Sequence, residues 1–114
     1  MDGAEWILLY DYYGALLTER QKECFELRYN QDLSLGEIGQ ELGISRQGVH
    51  DNLSRAEALL ENMERKTGCV RRDRACRKAM ARIRELGAQL ETNNDPTVAA
   101  LARKILEQTN GLEE

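Results

Sequence analysis

Apolar residues recur at spacings of three and four along almost the whole 114-residue chain and never alternate for long. That period belongs to helices, so the chain is restricted to helices packed on helices. The first helix is expected over Ala4–Tyr13, with Trp6, Leu9, Tyr10 and Tyr13 on one face and Gly14 at its end. Thr18 and Gln21 are spaced as a capping box, in which each side chain serves the other residue's backbone N–H. They open a second helix that turns Cys24, Leu27 and Phe25 inward and ends near Tyr29. Ser34 and Glu37 form a second such box, opening a short third helix with the apolar stripe Leu35, Ile38, Leu42. Ser45 opens a fourth, whose stripe Val49, Leu53, Ala56, Leu60, Met63 runs on to about Lys66, before Gly68.

A fifth helix is expected over about Val70–Leu90, with Cys76, Met80, Ile83, Leu86 and Leu90 as its inner face. Asp95-Pro96, an acidic cap followed by a proline whose missing N–H costs nothing there, starts a sixth. It runs to about Thr109 with Val98, Leu101, Ala102 and Ile105 inward. The expected fold class is therefore all-α with about six helices: a helix-turn-helix domain over residues 1–68 and a C-terminal helical extension over 69–114.

The stretch EIGQELGISRQGVHDN, residues 37–52, carries the helix-turn-helix reading. Such a motif needs a short helix, a tight turn and a second helix at a steep angle. Gly39 is small where the helices cross, Gly43 suits the turn, and Ile38, Leu42, Ile44, Val49 and Leu53 supply the packing. An αα-hairpin that merely packs would use the same apolar pattern. If the motif binds nucleic acid, the start of its second helix approaches bases and phosphates. The candidates are Ser45, Arg46, Gln47, His50, Ser54 and Arg55. Ser45 can donate to a phosphate while capping, Arg46 can pair with phosphate or guanine, and Gln47 can read adenine. Against this, Asp51 faces the same way and stands one turn before Arg55, with which it could pair. Beyond Arg55 the exposed face is expected to be acidic, through Glu57, Glu61 and Glu64.

Charge divides the chain. Residues 1–70 hold 7 basic and 13 acidic side chains, and residues 71–114 hold 9 and 7. Within 71–84, seven basic residues stand against Asp73 alone. Arg71, Arg74, Lys78 and Arg82 fall in one stripe on a helix, extended by Arg77 and Arg84. The stripe suits a phosphate backbone, of DNA or of duplex RNA, and equally the acidic 57–64 face of a partner subunit, while a plain solvated helix face would carry the same residues. No aromatic residue interleaves with these arginines, which disfavours stacking on single strands.

Residues 16–60, LLTERQKECFELRYNQDLSLGEIGQELGISRQGVHDNLSRAEALL, resemble region 4 of bacterial sigma factors. Residues 45–64, SRQGVHDNLSRAEALLENME, with YDYYGALLT at 10–18, are more similar still to the YlxM family of small bacterial proteins. The resemblance covers about residues 5–70. It implies a sigma-region-4-like helix-turn-helix and a DNA-binding regulatory role. Genes of that family commonly neighbour those of signal recognition particle components, which implies a part in protein targeting. The chain departs from sigma factors in having nothing like their promoter-melting region. It also continues its fourth helix with acidic SRAEALLENME, where region 4 is basic.

The expected partners are thus DNA or signal recognition particle RNA, proteins of that particle, and a second copy of the chain, since one sixth helix is short cover for two long apolar stripes. The alternative is a protein-interaction accessory of that pathway without DNA binding. No catalytic or cofactor motif is present, so an enzyme is not expected. With one His and no CxxC, neither is a metal site. The odd count of three cysteines argues against a disulfide framework, and Cys69 and Cys76 read as small buried hydrophobes. The longest apolar run, residues 6–9, is too short to cross a bilayer, and no signal peptide is recognisable, so the expected location is the cytoplasm.

Overall fold

The computed structural model describes residues 1–112, which are all-α. The helices are α1 (Gly3–Tyr13), α2 (Glu19–Tyr29), α3 (Leu35–Leu42), α4 (Arg46–Thr67), α5 (Cys69–Glu91) and α6 (Pro96–Asn110), with one 3-10 turn at Gly14–Leu16. Two compact units divide the chain, Met1–Val70 and Arg71–Glu114.

Caps account for where the helices begin. Asp2 accepts from the Glu5 N–H and starts α1. Both expected capping boxes form: Thr18 with Gln21, and Ser34 with Glu37. Ser45 Oγ accepts from the Gly48 N–H at 2.9 Å, and Asp95 accepts from the Thr97 N–H. The turn after α2 passes through Asp32 at φ 55°, a left-handed conformation that Asp tolerates better than most residues.

In the first unit α4 is the central element, packed against α1, α2 and α3. Its stripe Val49, Leu53, Ala56, Leu60 is buried against Trp6, Leu9, Tyr13, Leu17, Cys24, Phe25 and Ile38. Phe25, one of the two residues that α2 buries, stacks on Tyr10 with ring centroids 4.8 Å apart. Leu27, expected inward, is only half-buried.

Three tyrosine hydroxyls bind these helices together, each donating to a glutamate: Tyr10 to Glu26 at 2.6 Å, Tyr29 to Glu57 at 2.7 Å, and Tyr13 to Glu64 at 2.7 Å. Glu64 also accepts the Val70 N–H at 3.0 Å, securing the first turn of α5.

The second unit departs from its expected core. Of the predicted inner face of α5, Ile83, Leu86 and Leu90 are exposed, Cys76 is exposed and Met80 is half-buried. On α6, Leu101 and Ile105 are exposed while Ala99, Ala102 and Thr109 are buried. Helical spacing identified an apolar stripe but not the side from which the neighbouring helix meets it. The helices approach closely at Gly87, where an added Cβ would lie 2.8 Å from Leu106 Cδ2. That contact line is displaced from the stripe, so α6 leaves the larger side chains uncovered. Cys69 is half-buried, so of the three thiols only Cys24 is buried. No helix among the described residues is long and apolar enough to cross a membrane.

Candidate nucleic-acid interface

The geometry of the site rests on two glycines. Gly43 ends α3 at φ 70°, ψ 33°, where a Cβ would clash with the chain's own carbonyl. Gly39 lies beneath the turn. A Cβ there would stand 2.7 Å from the backbone oxygen of Ile44 and 3.6 Å from the Arg46 nitrogen. The Ile44 N–H donates to the Gly39 carbonyl at 3.0 Å, closing the turn. Only a residue without a side chain allows the approach that brings α3 onto α4 two residues later. An open cleft of about 340 Å³ lies where the two helices begin, lined by Leu35, Arg46, Gln47 and His50.

All six candidate residues at the start of α4 are exposed: Ser45, Arg46, Gln47, His50, Ser54 and Arg55. At about 100° per residue, Arg46 and Arg55 stand about 180° apart, with His50, Ser54, Gln47 and Asp51 between them. The buried stripe occupies the opposite side. The exposed face therefore has two cationic edges around a neutral and acidic centre. A groove has the complementary form, with phosphate walls around base edges.

Asp51 does not pair with Arg55. It accepts from Gln47 Nε2 at 2.9 Å and stands 3.7 Å from His50 Nδ1. Gln47 and Arg55 both stand four residues from Asp51, and Gln47 is the one it engages. Arg46 and Arg55 form no ion pair among the described residues. The Gln47 amide keeps its oxygen and one N–H, enough for a bidentate contact.

The expected acidic face beyond Arg55 is only partly open to solvent. Glu57 and Glu64 are half-buried, accepting from Tyr29 and Tyr13 respectively. Only Glu61 of the three faces solvent fully. Burial, and then the glutamate beside it, pushes the Tyr29 phenol well above its ordinary range. Tyr10 is likewise pushed up to about 12 by burial first and Glu26 second. Three of the 13 acidic side chains among residues 1–70, Glu26, Glu57 and Glu64, thus help to hold helices together while keeping their charge. These pairs join residues 16, 28 and 51 positions apart, and no local spacing in the sequence announces them.

Arg71, Arg74, Lys78 and Arg82 are all exposed on α5, within an arc of about 80°. Arg82 is engaged by Glu85 at 2.9 Å, which leaves Arg74 and Lys78 as the centre of the stripe. These four belong to the second unit and the α4 face to the first. No group of three or more His, Cys, Asp or Glu side chains able to hold a metal occurs among the described residues.

Residues 3–97 match the family model described as "UPF0122: Putative helix-turn-helix protein, YlxM / p13 like". The chain belongs to this family. A UPF0122 protein of Thermoanaerobacter sp. (strain X514) is 44% identical over 107 residues, covering 92% of this chain and 91% of its own length. One from Caldanaerobacter subterraneus subsp. tengcongensis is 54% identical over 78 residues, covering 68% and 67%. One from Geobacillus kaustophilus is 40% identical over 97 residues, covering 85% and 87%. The helix-turn-helix of this UPF0122 protein is therefore a family feature.

Proposed function

We propose that this UPF0122 protein is a regulatory nucleic-acid-binding protein that docks the start of α4 in a duplex groove. The observation that carries this reading is the exposed polar arc of α4, with unpaired Arg46 and Arg55 on its two edges. On this reading the arginines meet phosphates on either wall, while Gln47, His50 and Ser54 face base edges and Ser45 donates to a phosphate beside its cap. Asp51 at the centre favours a base that donates, such as cytosine through its amino group, and disfavours a phosphate. Arg71, Arg74, Lys78 and Arg82 add sequence-independent attraction, which lets an acidic chain hold a polyanion.

The protein acts in the cytoplasm on this proposal. The family's resemblance-based link to protein targeting makes signal recognition particle RNA the ligand to set beside DNA. A protein-interaction role in that pathway, including contact with the particle's proteins, is the second reading. It draws on Asp51, which places a carboxylate where a groove is most negative.

Fluorescence anisotropy against a labelled DNA duplex and signal recognition particle RNA, at several salt concentrations, tests the proposal. Each phosphate contact contributes about 0.9 to the slope of log K against log salt on DNA. The double variant Arg46→Ala, Arg55→Ala should lower that slope by about two and leave the helical content unchanged. Absence of binding to both ligands at low salt would overturn the proposal in favour of the protein-interaction role.

A further inference from the structure

A carboxylate at the centre of the α4 face weakens attraction to any polyanion, and yet Asp51 is tied there to a base-reading candidate. Its Oδ1 accepts from Gln47 Nε2 at 2.9 Å and stands 3.7 Å from His50 Nδ1. Asp51 Oδ2, the Gln47 amide oxygen and the second Gln47 N–H make no hydrogen bond among the described residues. Both side chains are exposed. Gln47 and Asp51 stand about 40° apart around the helix and about 6 Å apart along it, close enough to meet neighbouring base pairs together.

The donors and acceptors left open define what this pair can read. A free glutamine amide offers two N–H donors and one acceptor oxygen. In the major groove it can meet adenine, which presents one amino donor and one ring acceptor. It can also meet guanine, which presents two acceptors, through both N–H groups. The bond to Asp51 takes one of those N–H groups. One donor and one acceptor remain, which match adenine and leave a guanine acceptor unmet. The open carboxylate oxygen accepts from the amino group of adenine or cytosine and repels the acceptor edges of guanine and thymine. Such edges are within reach in the wide major groove of B-form DNA, whereas the deep, narrow major groove of duplex RNA excludes side chains.

Resting on the groove-docking reading above, we infer that Asp51 is a specificity-determining residue that holds Gln47 to adenine against guanine in duplex DNA. The carboxylate that lowers overall affinity is thus the one that sharpens the choice between bases, because selectivity is a difference of affinities. An i, i+4 pair that only supports α4 would change stability slightly and base preference not at all.

The test is selection from a pool of random-sequence DNA duplexes by the full chain, then anisotropy on the selected duplex and its single-base changes with native, Asp51→Ala and Asp51→Asn proteins. One position should be adenine for the native protein, and guanine there should weaken binding about five- to a hundredfold. In Asp51→Ala that ratio should fall below about threefold, while affinity for an unselected duplex rises as a negative charge leaves the groove. Asp51→Asn keeps an acceptor for Gln47 without the charge, so it should retain the adenine preference and also gain affinity.

An unchanged adenine-to-guanine ratio in Asp51→Ala would overturn the inference. So would loss of the preference in Asp51→Asn, which would assign it to charge rather than to the hold on Gln47. Salt-dependent duplex binding by the native protein with no adenine preference would overturn it and leave the groove-docking reading standing. No binding to any duplex at low salt would overturn both. The same adenine preference on a duplex RNA of the selected sequence would overturn the assignment to DNA.

Discussion

Replacing Gly39 by alanine isolates the contact on which the helix-turn-helix rests. Two opposing effects follow. Alanine in place of an interior helical glycine stabilises by about 1 kcal/mol, because less backbone entropy is lost on folding. The added methyl, however, would stand 2.7 Å from the Ile44 carbonyl oxygen, a backbone atom that cannot rotate away. Relieving such an overlap in a packed site costs about 1–3 kcal/mol. The shift also strains the Ile44 N–H to Gly39 carbonyl bond, worth about 1 kcal/mol. The clash and the bond outweigh the propensity, leaving a net loss of about 1–3 kcal/mol.

Gly36 is the control in the same helix. A Cβ there meets nothing nearer than Ser34 Oγ at 4.0 Å, so only the entropic gain applies, about 0.5–1 kcal/mol. Urea unfolding followed by circular dichroism should therefore place the Gly39→Ala and Gly36→Ala midpoints on opposite sides of the native one. A Gly39→Ala protein as stable as Gly36→Ala would refute the close-approach argument.

Three further outcomes follow from the polar contacts. Glu57→Ala should cost about 1–2 kcal/mol by leaving the half-buried Tyr29 hydroxyl without its acceptor, and a cycle with Tyr29→Phe should show coupling of about 0.5–1 kcal/mol; additive losses would contradict the bond. Tyr10, Tyr13 and Tyr29 all have raised phenol pKa values, chiefly from burial. A folded value above the unfolded one means the stabilisation is whole below about pH 10 and is lost as pH rises through the folded values, so phenolate absorbance of the native protein should appear later than in denaturant. Coincident titrations would contradict those environments. The Ser34 backbone N–H and then its hydroxyl hold Glu37 below its ordinary value, so its share of stability is present above the unfolded pKa and lost as pH falls through the folded one. Carboxyl NMR of Glu37 with a midpoint at or above 4.5, the ordinary value, would count against the capping box.

The parts of the fold that were legible in the sequence are those fixed within a few residues. Thr18 with Gln21 and Ser34 with Glu37 are local chemistry, and spacing alone identified both boxes. Gly43 and Gly39 were legible for the same reason, since a tight turn demands them within seven residues of Arg46. The outward face of α4 followed from the period of Val49, Leu53, Ala56 and Leu60. What spacing could not supply was the partner of each face. Glu57 and Glu64 read as solvent-facing acids because the tyrosines that engage them come from other helices. Ile83, Leu86 and Leu101 read as core because a stripe announces its own apolarity and not the line along which the next helix crosses it. Asp51 could pair with either Gln47 or Arg55, each four residues away, and spacing alone does not choose Gln47.

The most direct test of the account is a backbone amide NMR footprint of the labelled protein titrated with a DNA duplex and, separately, with signal recognition particle RNA. The account predicts that shifts concentrate on Ser45 to Arg55, with a second group from Arg71 to Arg82, and that Leu86 and Ile105 stay unperturbed. Shifts centred on the apolar stripes of α5 and α6, or on no defined face, would contradict it.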